Sequence, residues 1–196
     1  MEHKEPDRVP FDFGSTAVTS IAGMAYEKLK RHLGSNSETS IMAKQGQVAH
    51  IDEEILRKFG IDTRPLDPGA PDNWTDIEID PFTYQDEWGI QWQRPEESNS
   101  YFLLKGHFEG DENGTLEALR QFQWPDPKDP GRFRGLRERA RKLHEETDYS
   151  VVFSPRATFW QEAARIRGFG DFFSDLVLNK KFVHALLDRI LEIRLE

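Results

Sequence analysis

The sequence predicts an α/β protein whose core strands run parallel, in the manner of a barrel of alternating strands and helices, with a β-hairpin inserted. Three observations predict it. Short apolar strand patterns at residues 9–13, 61–66 and 149–153 are separated by long stretches of helical periodicity. The second of these runs into Asp67-Pro-Gly-Ala-Pro71, which can continue neither helix nor ladder, so the chain must turn at the strand's carboxyl end. Tyr84, Asp86, Trp88, Ile90 and Trp92 alternate with Gln85, Glu87, Gly89, Gln91 and Gln93, a period of two that marks a strand with one aromatic face.

From the beginning, Val9, Phe11 and Phe13 share one face of a short strand that stops at Gly14-Ser15. Ile21, Ala25, Leu29 and Leu33 then recur at helical spacing, predicting a helix over 16–33 with Gly34 as its stop. A second helix is predicted from about Gln47, with Val48, Ile51, Ile55 and Phe59 on one face and Gly60 ending it. Beyond the Pro-Gly turn, strands at 84–93 and 101–108 form the hairpin, residues 81–110, which is an insertion because hairpins join antiparallel strands. Thr115 opens a short helix over 116–122. Asp129-Pro130 supplies an N-cap and a proline at the first helical position, ahead of Phe133, Leu136, Ala140 and Leu143. Residues 149–153 are almost wholly apolar, as a strand covered on both faces would be.

Helical patterns resume at 159–166 and 172–178. Asn179 then caps a last helix with Phe182, Val183, Leu186, Leu187, Ile190 and Leu191 along one side. No linker separates two domains, so residues 1–196 are expected to form one domain. Three parallel strands fall short of a closed eight-stranded barrel, which takes about 250 residues. The expectation is therefore an incomplete barrel whose open edges and last apolar stripe need further sequence or another chain, with self-association as the consequence, or else an independent three-layer domain.

With 37% hydrophobic and 12% aromatic residues, the 196-residue chain has the means to bury a core. A net charge of -9 argues against nucleic-acid binding, which relies on clustered Lys and Arg, but leaves room for a small anion held by a local arginine. The absence of cysteine excludes disulfides and thiolate metal sites. No apolar run reaches the roughly 20 residues of a membrane helix, and a cytoplasmic protein without a membrane role is expected.

Three residues stand out as site candidates. Asp67 and Arg64 lie near the mouth end of the second strand, where parallel α/β proteins build their sites. Arg64 would orient an anionic ligand there, or else pair with Asp62 or Asp67 and fix the loop. Asp12 points away from Phe11 and Phe13, towards a barrel interior or towards solvent. His50 with Glu54, and His107 with Glu109, share faces at metal-compatible spacings but lack a third ligand, so no metal is expected. The basic run from Arg132 to Lys142 scatters around a helix and reads as a solvated face. Trp88 and Trp92 would stack on a flat ligand or, more commonly for such patterns, pack against the core.

Pro6-Asp-Arg-Val-Pro-Phe-Asp-Phe-Gly14, Phe59-Gly-Ile-Asp-Thr-Arg64, Asp86-Glu-Trp-Gly-Ile-Gln-Trp92, Trp124-Pro-Asp-Pro127 and Arg167-Gly-Phe169, taken in order, resemble the amino-terminal half of the uroporphyrinogen decarboxylase superfamily. The resemblance is strongest to the branch that includes corrinoid-linked methyltransferases. It implies the amino-terminal part of a TIM (β/α)8-type barrel. The implied ligand is a tetrapyrrole or a methyl donor or acceptor, with a corrinoid protein as partner in the methyl-transfer case. The family's aspartate after the second strand, which faces the pyrrole nitrogens in decarboxylases, falls on Asp67, with Asp62 as the second choice; Asp12, Asp62 and Arg64 are the implied substrate-binding residues. Departures are equally specific. The arginine-rich motif that meets substrate carboxylates is replaced by Gly14-Ser-Thr-Ala-Val-Thr19, and Ala164 and Arg165 occupy the place of a tyrosine. The zinc-binding His and Cys residues of the methyltransferases have no counterpart here, and no cofactor is expected. The resemblance thus leaves an enzyme of this superfamily and a non-catalytic fragment or half-barrel as alternatives.

Overall fold

The computed structural model describes residues 5, 7–155 and 158–196. In chain order the elements are α1 (Gly23–Leu33), β1 (Ile41–Ala43), β2 (Val48–Ala49), α2 (Glu53–Lys58), β3 (Thr63–Leu66), β4 (Ile77–Asp80), β5 (Thr83–Gln85), β6 (Gln91–Gln93), β7 (Phe102–Lys105), α3 (Leu116–Gln121), α4 (Pro130–Phe133), α5 (Leu136–Glu146), β8 (Ser150–Phe153), α6 (Trp160–Arg167), α7 (Phe169–Leu178) and α8 (Lys180–Leu195). The architecture is mixed α/β, with small sheets that do not close into a barrel among the described residues. Two compact units divide the chain, each made of two stretches: the first ends at Pro68 and resumes over Gly135–Ser154, and the second comprises Gly69–Arg134 and Pro155–Glu196.

The first unit contains the parallel pair. β3 and β8 run parallel in direct register, Thr63 beside Ser150 and Leu66 beside Phe153, and α5 packs against both strands. Their adjacency agrees with the two apolar patterns that the sequence places there. Residues 9–13 do not form the third strand. Asp62 N–H donates to Phe11 O at 3.0 Å, but Phe11 N–H is taken by the Asp62 carboxylate at 2.7 Å instead of a neighbouring carbonyl. Pro10 and Pro65 also lack the N–H that a longer ladder would draw on. Val9 and Phe11 are left 75% and 55% exposed.

Two helices begin later than the periodicity suggests. Thr16 and Thr19 exchange hydroxyl and backbone hydrogen bonds, so the helix expected from Thr16 starts at Gly23. It ends as expected: Gly34 is left-handed at φ 78°, and Ser35 N–H donates to Lys30 O. The helix expected from Gln47 is confined to α2, because Val48 and Ala49 pair antiparallel with β1 through a turn in which Gln47 has φ 49°. Tyr26, Ala49, Ile51, Ile55, Leu56 and Ile61 form this unit's core.

The second unit is organised on a four-stranded antiparallel sheet in the order β4-β5-β6-β7. The expected long strand over 84–93 is two strands and a turn. Asp86 Oδ1 accepts from Trp88 N–H at 2.9 Å and Ile90 N–H at 3.0 Å, and Gly89 adopts φ 71°, so β5 folds back onto β6 with Tyr84 beside Trp92. Both strands still present their aromatics to one core, which is why the alternation survives the turn. Phe182, Val183, Leu186 and Ile190 of α8 are buried against Trp88, Trp92, Phe108 and Ile166. The last helix therefore finds its partner surface within the unit. Leu191, expected in the same stripe, is 43% exposed.

Candidate functional site

In the first unit, the alternation of β3 sorts its side chains into two faces. Thr63 and Pro65 fall on one face, and Arg64 and Leu66, both buried, on the other, where Arg64 meets Glu53 of α2. Asp67 follows immediately beyond the strand's carboxyl end. Asp12 joins the first face: its Oδ1 accepts from Thr63 Oγ1 at 2.7 Å and from Ser15 N–H at 3.2 Å. Gly14, at φ 86°, makes this turn possible, since a side chain there would meet Ile51 Cγ1 at 2.4 Å.

The four expected site residues are brought together unequally. Asp62 accepts from Arg8 Nη1 at 2.8 Å and from Phe11 N–H, so its carboxylate holds the chain's leading segment against β3. Arg64 is 3% exposed and spends its donors on the protein: Nε donates to Glu53 Oε2 at 2.7 Å, Nη2 to Glu53 Oε1 at 3.1 Å, and Nη1 to Ile61 O and Thr63 O at 2.8 Å each. Its guanidinium also lies 3.5 Å from the Tyr149 ring centre. Arg64 thus pairs with Glu53 and not with Asp62 or Asp67. Glu53 and Tyr149 were not singled out by sequence reasoning, although strand alternation puts Arg64 on the helix-covered side. Asp67 is the exception. Its carbonyl accepts from Arg139 Nη2 at 2.8 Å, while its half-buried carboxylate has no hydrogen-bond partner among the described residues.

Burial opposes ionisation of Asp12, but hydrogen bonds from Ser15, Thr63 and Thr19 outweigh it and hold its carboxyl below the usual value. The Phe11 N–H first, and Arg8 second, do the same for Asp62. A depressed carboxyl stabilises the fold above its unfolded pKa and loses that effect as pH falls through the folded value. Acidification below about pH 4 should therefore detach residues 7–13 from β3. Hydrogen exchange at Phe11 and Asp62 between pH 7 and pH 3 measures this, and Asp62→Ala should reproduce the detached state at pH 7.

The remaining sequence signals are structural. Comparison of the chain with models of known protein families, with curated proteins and with solved structures finds no match. Trp88 and Trp92 lie in the second unit's core, with Arg194 and Arg165 over their rings at 4.9 and 5.4 Å. His107 packs against Phe122, ring centres 4.2 Å apart, and Glu109 Oε2 accepts from Gly106 N–H. No group of three potential metal ligands occurs among the described residues. Arg132 and Arg134 are paired with Glu87 and Asp72, and Arg141 with Glu145, which disperses the basic run. No described helix is long and apolar enough to cross a membrane.

Proposed function

We propose that the first unit belongs to a barrel of the uroporphyrinogen decarboxylase type and that Asp67 is its ligand-facing carboxylate. The supporting observation is the parallel β3–β8 pair, with a helix on one face and Asp12 and Thr63 on the other, and an unengaged aspartate at the mouth end. Sites of parallel α/β folds are built at that end. An ionised carboxylate there accepts hydrogen bonds from the inward N–H groups of a tetrapyrrole, or orients a methyl donor or acceptor in corrinoid-linked transfer. Asp12, held by Thr63 and Ser15, fixes the turn at the amino end of β3, away from Asp67. Asp62 and Arg64 maintain the strand instead of contacting ligand.

The test is binding of uroporphyrin and of hydroxocobalamin, followed by absorbance. One of the two should bind, and Asp67→Ala should weaken it by about tenfold, the loss of one charge-assisted hydrogen bond. Failure of both probes to bind, or equal binding by the variant, would overturn the proposal. The chain should form no coproporphyrinogen from uroporphyrinogen, because the arginine motif and the tyrosine are replaced.

A second reading is a non-catalytic half-barrel completed by another chain. It is favoured by the two-stranded extent of the parallel sheet among the described residues, which leaves ladder edges available for pairing.

A further inference from the structure

The helix-covered face of the same parallel pair carries a second feature. Between α2, α5, β3 and the start of β8 lies an open cleft of about 400 Å³, a volume suited to a small organic molecule. Its floor is apolar, made by Leu66, Leu143 and the Tyr149 ring that underlies Arg64. Its walls carry Arg57, Arg64, Arg139 and Lys142 against Glu53 and Glu146, in a chain whose net charge is -9.

Glu53 is already neutralised. Its Oε1 accepts from Arg57 Nε at 2.7 Å and from Arg64 Nη2, and its Oε2 accepts from Arg64 Nε. Arg57 spends only its Nε in this way, and Lys142 Nζ has no hydrogen-bond or ion-pair partner among the described residues. Arg139 reaches across to the Asp67 carbonyl and keeps its other donors. The cleft therefore offers apolar surface from Leu66, Leu143 and Tyr149, one of whose ring faces Arg64 covers, together with uncommitted cationic donors.

We infer that this cleft binds a small anion with a planar apolar body, an aromatic phosphate or carboxylate. The ring would pack against Leu66 and Leu143 beside Tyr149, and the anionic group would meet Lys142 and the Nη groups of Arg57, whose fork suits phosphate and carboxylate oxygens. Arg64 takes no part in direct pairing. Held by Glu53 and two carbonyls, it lies over the Tyr149 ring and adds positive potential to the cleft. Asp67 does not line the cleft: only its backbone carbonyl meets Arg139, a bond that Asp67→Ala retains.

The experiment titrates the whole chain with 2-naphthyl phosphate, 2-naphthol and inorganic phosphate, reading calorimetry and the Arg64 Nε–H resonance. Naphthyl phosphate should bind at least tenfold more tightly than either part-probe, shift the Arg64 resonance, and weaken with added salt. Lys142→Glu, an exposed change outside any described pairing, should leave the melting temperature unchanged and weaken naphthyl phosphate about tenfold. Arg57→Gln should act in the same direction. Equal binding of naphthol and naphthyl phosphate, an unmoved Arg64 resonance, or undiminished binding by Lys142→Glu would each overturn the inference. Asp67→Ala should leave this binding unaltered, which separates its outcome from that of the tetrapyrrole and cobalamin titrations.

Discussion

Replacing Arg167 with alanine should destabilise the second unit by about 3–5 kcal/mol, the cost of removing one partner from a buried ion pair. Arg167 is 2% exposed at the end of α6. Its Nε donates to Asp175 Oδ2 at 2.7 Å, and its Nη1 donates to Gly110 O at 2.7 Å and to Phe108 O. The alanine variant leaves the Asp175 carboxylate and two carbonyls without their donor in a site closed to water. Lysine should not rescue it, because one ammonium cannot reproduce a planar fork that meets a carboxylate and two carbonyls. Denaturant unfolding of the two variants measures the loss. A midpoint unchanged in the alanine variant would refute the assignment of Arg167 as the link between α6, α7 and the loop after β7.

Raising the pH from about 4 to above about 7 should weaken the same unit, by on the order of 3 kcal/mol in total. Burial pushes the Asp86 carboxyl up to about 6, although Trp92 Nε1–H and the Ile90 and Trp88 N–H groups favour its ionised form. A folded-state pKa above the unfolded value gives a contribution that is complete below the unfolded pKa of about 4 and disappears as pH rises through the folded one. This slope is opposite to that of Asp12 and Asp62 in the first unit. Chemical denaturation at a series of pH values, followed by tryptophan fluorescence, reports it through Trp88 and Trp92. Trp92→Phe removes the 2.7 Å bond to Asp86 Oδ2 and should move the transition to higher pH. A stability that is flat between pH 4 and pH 6.5 would contradict it.

The parallel pair was legible because its strands have strong stops, the Pro-Gly turn after Leu66 and Ser154-Pro155 after Phe153, with apolar Ile61 and Leu66 bounding the first and Val151, Val152 and Phe153 making the second. Other elements were hidden by competing side-chain chemistry. The Asp86 carboxylate makes a turn inside an unbroken period-two pattern, and the Asp62 carboxylate takes the N–H that would have joined Phe11 to β3. Both are aspartates acting in place of backbone carbonyls, which periodicity cannot register. At the site, Asp67 follows β3 as its sequence position implies, whereas Arg64, expected near the mouth end, is the second residue of the strand and pairs with Glu53. Arg64 and Glu53 are eleven residues apart, on a helix and a strand, so their pairing emerges only from packing.

The two units are interleaved along the chain, and that ordering constrains how they are made. β3 leaves a ribosome more than eighty residues before β8, and the first half of the second unit is synthesised in between. The entropic cost of closing so long a loop rises only slowly with its length. Time is the sharper constraint: at about 5–20 residues per second, β3 waits several seconds for its partner. During that interval α1, β1, β2 and α2 can already gather around Tyr26 and Ile55, while the edge of β3 stands open. The second unit faces the same delay, because β4–β7 precede the α6–α8 helices that bury Trp88 and Trp92. Each unit must therefore hold an unfinished half in a non-aggregating form until its second stretch appears.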